Sequence, residues 1–151
     1  MKTVFTVFLI TACFFTYGQE RYPDSAIESN EHFYVVKATQ KPATGIVYGE
    51  KIVGRYKYKF EYGLENGLLD GQYTWKYENG KLQQISFYKE GKTAGPLKRW
   101  WMNGNKQRES TSEYDKIWYK TGELKRLVTY KNGLVASSKC WDTEGQEIEC
   151  E

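Results

Sequence analysis

Few residues in this 151-residue chain could carry out chemistry. The single histidine, His32, excludes the histidine clusters that hold catalytic zinc or non-haem iron. Paired carboxylates can hydrolyse glycosides, but the carboxylates here lie near glycines, where solvated turn residues are expected. They are Glu61, Glu65, Asp70, Glu78 and Glu90. Asp70, Asp142 and Glu144 lack the dense alternation of acidic ligands in a calcium loop. We therefore expect no enzyme, no metal site and no cofactor.

Residues 1–18 have the features of a secretory signal peptide. Lys2 supplies the positive start, Val4 to Phe15 the apolar stretch, and small residues precede a cut that we place after Gly18. Two alternatives stay open. One is an uncleaved anchor, although the apolar stretch is short beside the ~20 residues that span a bilayer. The other is lipidation at Cys13. We expect an exported protein, whether periplasmic, outer-membrane-associated or secreted.

Removal of this segment leaves two cysteines, Cys140 and Cys150. An oxidising compartment favours a disulfide between them, and that bond would stabilise the fold by roughly 2–3 kcal/mol. Two free thiols are the alternative. Because the segment carries only Lys2, the 22 basic residues fall to 21, against 19 acidic residues. A charge balance so close to neutral argues against nucleic-acid binding.

Repeated elements must position any surface of this chain, because glycines punctuate it at regular intervals. Positions that would open a strand recur at intervals of 26, 24, 18 and 24 residues: Gly45, Gly71, Gly95, Glu113 and Ser137. Nine residues after the first four of these comes a turn glycine, namely Gly54, Gly80, Gly104 and Gly122. Gly91 and Gly133 close second strands. Since Asn-Gly turns accept positive φ and favour tight hairpins, the spacing predicts β-hairpins with a period of about 24 residues.

The strands should each present two different faces. In residues 71–77, Tyr73, Trp75 and Tyr77 alternate with polar residues, which predicts one aromatic and one polar face. Residues 104–122 form a shortened unit, for which we expect a tighter connection or an irregular strand near residues 110–115.

We divide the mature chain at residue 42. Residues 19–41 are expected to be a flexible lead-in with one short strand at residues 32–37, and residues 42–151 to form the repeat domain. At the end of the chain, a short return strand bonded through Cys140 and Cys150 would clasp the open edge of the sheet.

These motifs resemble the MORN-repeat variant family. The resemblance rests on Gly71-x-Tyr-x-x-x-Tyr77-Glu-Asn-Gly80-Lys-Leu82, followed by Tyr88-Lys-Glu-Gly91, and covers about residues 42–148. It implies an all-β fold, an elongated and twisted antiparallel meander that forms a single open, solenoid-like sheet. Some bacterial members carry an antitoxin-type description, and eukaryotic relatives are associated with membranes and with the assembly of protein complexes. The chain departs from the family pattern at Leu97, Glu113 and Ser137.

The aromatic residues are either the core of the array or a binding surface. Adjacent rings must point to opposite sides of a strand, so at least one ring of each adjacent pair is expected to be partly exposed. The candidate surface is Arg99, Trp100, Trp101, Trp118 and Tyr119. Exposed Trp and Tyr anchor partners, and we expect the partner to be another protein of the cell envelope. A peripheral lipid or glycan binder is the alternative, with a carbohydrate-active enzyme a distant third.

Overall fold

In the computed structural model, which describes residues 19–30 and 32–150, the chain is almost entirely β-structure. The large sheet has twelve strands and stays open at both ends; apart from one parallel pair it is an antiparallel meander. A second sheet has three strands. No helix of the described residues is long and apolar enough to cross a membrane. The predicted signal segment and Cys13 lie outside the described residues.

The lead-in contains more structure than the single strand predicted from the sequence. Its elements are β1 (Arg21–Pro23), a 3-10 turn (Asp24–Ala26), β2 (Ile27–Asn30), β3 (Phe33–Val36) and β4 (Lys41–Pro42). Of these, β3 lies within the predicted strand. The others are two to four residues long and show no alternation, so pattern analysis could not find them. Strand β1 pairs in parallel with the large sheet, while β2, β3 and β4 form the small sheet.

Four strands form the N-terminal part of the large sheet. They are β5 (Gly45–Val53), β6 (Tyr56–Glu65), β7 (Leu68–Tyr77) and β8 (Leu82–Lys89), and β9 (Lys92–Thr93) pairs beside β8. Gly45 opens β5 as predicted, whereas Gly71 lies inside β7 because that strand already begins after a turn at Asn66 and Gly67. Gly67 was not among the predicted turn glycines, although its Glu-Asn-Gly context repeats that of Gly80.

Gly67 is required by close packing as well as by its positive φ of 79°. A Cβ atom there would come within 2.7 Å of the Phe33 ring and 2.9 Å of the Tyr34 carbonyl oxygen. The Gly67 amide donates to the Ala43 carbonyl, and the Tyr34 amide donates to the Gly67 carbonyl, each at 2.8 Å. The turn between β6 and β7 therefore joins the small sheet to the large one.

Six further strands complete the large sheet. They are β10 (Leu97–Trp100), β11 (Lys106–Ser110), β12 (Tyr114–Trp118), β13 (Leu124–Lys131), β14 (Leu134–Trp141) and β15 (Glu147–Ile148). The shortened unit has the expected tight connection, where the Thr111 hydroxyl accepts the Glu113 and Tyr114 amides at 3.1 Å. Glu113 directly precedes β12. Ser137 lies inside β14, since the turn at Gly133 starts that strand earlier than predicted.

The core lies between the two sheets. Ile27 on β2 and Ala43, just after β4, pack with Val47, Phe60, Tyr62 and Leu64 of the large sheet, and Tyr73 and Trp75 line the edge of this cluster. The rings of Tyr62 and Tyr73 pack in a tilted arrangement with centroids 5.0 Å apart, as do those of Phe60 and Trp75 with centroids 5.6 Å apart. The predicted aromatic face of β7 is thus the inner face of the sheet.

Candidate partner-binding surface

Four turns of the large sheet share one hydrogen-bond pattern. The amide of the first residue donates to the carbonyl four positions later, at 2.8–3.0 Å: Tyr77 to Lys81, Trp101 to Asn105, Tyr119 to Glu123 and Asp142 to Gln146. The glycine of each turn donates back to the first residue. The glycines are Gly80, Gly104, Gly122 and Gly145, all with positive φ. What recurs along the chain is therefore the geometry of the turn, and this geometry places equivalent side chains at equivalent positions.

The first residue of each turn links one repeat to the next. The Tyr77 hydroxyl donates to the Trp100 carbonyl at 2.7 Å, and the Tyr119 hydroxyl donates to the Trp141 carbonyl at 2.9 Å. Between them, the Trp101 indole N–H donates to the Trp118 carbonyl at 3.4 Å. We call Tyr77, Trp101 and Tyr119 the clamp row. In each case the acceptor is the residue directly before the next turn.

Asparagines strengthen the link between the second and third of these turns. The side-chain amide of Asn103 donates to the Lys120 carbonyl at 2.8 Å, and that of Asn105 donates to the Lys120 and Thr121 carbonyls at 3.0 Å. Carbonyls that point along the sheet towards a neighbouring turn thereby gain partners. Asn103 and Asn105 thus add to the hydrogen bonds by which Trp101 and Tyr119 link successive repeats.

Two stretches match a family model. It is the model of the MORN repeat variant, and it matches residues 69–90 and 116–132. These stretches are MORN repeat variants. No curated protein and no solved structure matches the chain.

The two MORN repeats coincide with two of the shared turns. Residues 69–90 include Tyr77 and Gly80, and residues 116–132 include Tyr119 and Gly122. The β10–β11 hairpin between them has the same turn and a clamp residue, Trp101, although the family model does not match it. MORN repeats are in general binding modules for proteins or membranes and have no catalytic chemistry of their own.

A second row of aromatic residues lies next to the clamp row in sequence. Trp100, Trp118 and Trp141 each directly precede a shared turn and stand four positions before its glycine. We call them the tryptophan row. Successive residues of a strand point to opposite faces, so this row lies on the outer face, opposite the clamp row. All three side chains are half-buried, which leaves part of each indole open to a partner.

Basic residues surround the tryptophan row. The Lys106 ammonium lies 5.2 Å from the centroid of the Trp118 ring, a cation–π distance. Glu109 contacts Lys106 at 3.2 Å and Lys98 at 3.7 Å. Burial alone would raise the pKa of the Glu109 carboxyl, but its hydrogen bond to Lys106 and the nearby lysines outweigh burial and lower that pKa. The Lys116 ammonium covers the Tyr114 ring at 4.6 Å.

The inner face of the same strands is polar and internally paired. The Arg99 Nε donates to the Gln84 side chain at 2.8 Å. Arg108 donates two hydrogen bonds, at 2.8 and 3.0 Å, to the Asp115 carboxylate, and the hydrogen bond to Asp115 raises the pKa of Arg108. Because Asp115 is 9% exposed, this pair takes the place of an apolar core here.

The five residues predicted as one surface therefore do not share a face. Arg99, Trp101 and Tyr119 lie on the inner face, where they bond to other parts of the protein; Trp100 and Trp118 lie on the outer face. Trp141 completes the outer row but was missed by the prediction. The sequence could have indicated Trp141, because it stands four positions before a turn glycine, as Trp100 and Trp118 do.

The predicted disulfide between Cys140 and Cys150 is present, with Cα atoms 5.3 Å apart. It ties β15 against β14, where Cys140 and Ile148 are register partners. A structural disulfide agrees with an oxidising compartment.

No set of side chains in the described residues resembles a catalytic or metal centre. His32 is exposed. Within residues 19–30 and 32–150, no three His, Cys, Asp or Glu side chains are grouped for a metal ion. Two of the carboxylates expected in turns lie inside strands, because those strands are longer than predicted, and both form salt bridges. Glu61 on β6 contacts Arg21 and Asp70 on β7 contacts Lys89, each at 2.9 Å.

Proposed function

We propose that this protein is a non-catalytic, exported scaffold that binds another protein of the cell envelope through its tryptophan row. The observation that supports this most is the division of the adjacent aromatic pairs. Each inward ring is a clamp, while the outward tryptophans take part in these hydrogen bonds only through their backbone carbonyls, so their indole rings are not used for the linkage. Half-buried indoles at the same position of three of the four shared turns are suited to anchoring a partner along the sheet.

Charge indicates the chemistry of that partner. Residues 95–131 contain nine Lys and Arg but only four Asp and Glu. Lys98, Lys106 and Lys116 belong to the outer face with Trp100 and Trp118. An acidic protein surface would complement this face and would be steered to it at low ionic strength.

The first experiment is a crosslinked pull-down with tagged residues 19–151 from an envelope extract of the native cell. We expect the Trp100→Ala/Trp118→Ala variant to lose one stoichiometric protein partner while keeping a folded β spectrum. Tyr56→Ala is the matched control, because Tyr56 is 41% exposed on the N-terminal part of the sheet. If the partner is retained by the double variant, the tryptophan row is not the binding surface.

Substitution of Glu109 should strengthen partner binding, whereas substitution of the tryptophans should weaken it. Its carboxylate already occupies Lys98 and Lys106, so it competes with an acidic partner for the same ammonium groups. We expect Glu109→Gln to tighten binding a few-fold, roughly 0.5–1 kcal/mol, and 0.5 M salt to weaken binding in all forms. Weaker binding by Glu109→Gln would contradict an acidic partner.

A membrane surface is the second candidate, favoured by the pairing of indoles with lysines on one face. Indoles and lysines suit the interface of an anionic bilayer. Flotation with phosphatidylglycerol vesicles, compared with neutral vesicles, separates the two. Salt-sensitive flotation that requires Trp100 and Trp118, without a protein partner, would support the membrane and overturn the protein scaffold.

A further inference from the structure

The outer face of the sheet also contains a groove over its N-terminal strands. It consists of two adjoining hollows over β5, β6 and β7, of about 650 and about 530 Å³. Both hollows are lined by Glu61, Thr74 and Lys76. We call this the N-terminal groove. Its volume is in the range of small-ligand sites, and two hollows that share a wall suit an extended ligand.

Two lysines in the groove face each other without acidic partners. Lys59 and Lys76 are direct register partners on β6 and β7. Like charges directly opposite on neighbouring strands destabilise a sheet. Among residues 19–30 and 32–150, neither lysine forms a salt bridge; Glu50, the register partner of Lys59 on β5, contacts Lys57 instead. The pair is thus a locally unfavourable arrangement that an anionic ligand would relieve.

Arg21 on β1 forms a third, ordered cation at the groove. Its guanidinium contacts Glu61 at 2.9 Å and lies 5.5 Å from the centroid of the Tyr48 ring. A guanidinium has about five N–H donors, and these two contacts fix its orientation while leaving most of the donors for a ligand. Tyr48 is 42% exposed and offers an apolar ring face at the same end of the groove.

The rest of the lining is rich in both donors and acceptors. Thr74 accepts a hydrogen bond of 2.6 Å from the Gln72 amide, and the Glu61 and Asp70 carboxylates accept from Arg21 and Lys89. Such a lining matches hydroxyl groups, which both donate and accept. A polyphosphate has no hydroxyl donors for the Glu61 and Asp70 carboxylates, so a sugar chain matches this lining better.

We infer that the N-terminal groove binds an acidic glycan, a sugar chain that carries carboxylate or sulfate groups. An anionic group lies between Lys59 and Lys76, a sugar ring packs on Tyr48, and hydroxyls bond to Glu61 and Thr74. This inference does not rest on the proposed scaffold function, because none of its residues belongs to the tryptophan row.

Calorimetric titration of residues 19–151 with a homogeneous oligogalacturonate tests the inference. We expect Lys59→Gln/Lys76→Gln to raise the Kd at least tenfold, since two charge-assisted contacts are lost. Tyr48→Leu should weaken binding less, because it keeps apolar area but removes the ring. The matched control is Lys51→Gln/Lys92→Gln, which removes the same charge from two exposed lysines outside the groove.

Three further probes make the result decisive. A neutral cello-oligosaccharide and inorganic sulfate should each bind much more weakly than oligogalacturonate, and phosphatidylglycerol vesicles should not compete with it. The inference is overturned if oligogalacturonate does not bind, if both double-lysine variants lose affinity equally, or if sulfate binds as tightly as the glycan. The Trp100→Ala/Trp118→Ala variant should bind glycan normally, so this test fails or succeeds separately from the scaffold test.

Discussion

The two halves of the large sheet are stabilised by different interactions. Among the described residues, six of the eight buried apolar side chains belong to the cluster between β5–β7 and the lead-in. From β10 to β14 no second layer covers the sheet within the part of the chain that the structure describes. There, hydrogen bonds from the clamp row and the Arg108–Asp115 pair replace buried apolar area.

This difference shows what a hairpin repeat of this chain needs in order to stand as a single layer. Each turn supplies one aromatic side chain whose polar tip reaches a carbonyl of the next repeat, so every repeat is stabilised mainly by its neighbour. Asp142 occupies the clamp position of the last shared turn, and its carboxylate accepts the Glu144 and Gln146 amides of its own turn. Among the described turns the aromatic clamps therefore stop at Tyr119, and beyond it the disulfide ties β15 to β14.

The two halves should differ most in the stability that is lost when a buried side chain is shortened. Leu64→Ala should cost about 3 kcal/mol, because Leu64 is 2% exposed between two layers. Val128→Ala in the single layer should cost only about 1–2 kcal/mol, since the lost side chain is smaller and the site is open to relaxation. Urea denaturation gives both values. Equal costs would contradict the distinction between a packed half and a clamped half.

Removal of the disulfide should act on the single-layer half alone. Cys140→Ser/Cys150→Ser is expected to lower stability by about 2–3 kcal/mol, because the bond closes a separation of 10 residues at the sheet end. Hydrogen exchange should then speed up in β13, β14 and β15 but not in β5, β6 and β7. Faster exchange throughout the sheet would show that the two halves unfold as one unit.

Loss of one clamp-row hydrogen bond should lower stability by a smaller amount, and only near that bond. Tyr119→Phe keeps the ring but removes the donor to the Trp141 carbonyl, which should cost about 1 kcal/mol. The effect should be confined to β12–β14 in hydrogen exchange. Tyr56→Phe is the control, since Tyr56 is exposed. If the two variants are equally stable, the inter-repeat hydrogen bond does not hold the single layer together.

The single-layer half was also the half that the sequence predicted better. Its hairpins follow from local turn chemistry at Gly104, Gly122 and Gly133, and the Cys140–Cys150 bond followed from cysteine count and compartment. The packed half depends on contacts between distant residues, such as Gly67 with Tyr34 and Ala43. Short strands without alternation carry no local signal for such contacts, so the small sheet could not be predicted.

The candidate site was predicted only in part, for a related reason. The adjacent aromatic pairs indicated two faces, but nothing in the residue types showed which ring would serve as a clamp. That assignment depends on distances between turns of successive repeats. The opposition of Lys59 and Lys76 was equally hidden, because their register is set by the turn at Gly67, which the sequence analysis did not include.

The smallest expected effect, in the packed half, appears only at alkaline pH. Burial raises the pKa of Tyr73 from 10.0 to about 12. A folded pKa above the unfolded value means that the contribution of Tyr73 to stability is complete below pH 10 and is lost as pH rises towards 12. Tyr73→Phe keeps the ring but cannot ionise, so its stability relative to the parent should improve by an amount of the order of 1 kcal/mol between pH 9 and pH 11. Urea titrations at both pH values measure this change. An unchanged difference in stability between Tyr73→Phe and the parent at the two pH values would contradict the burial of the Tyr73 hydroxyl.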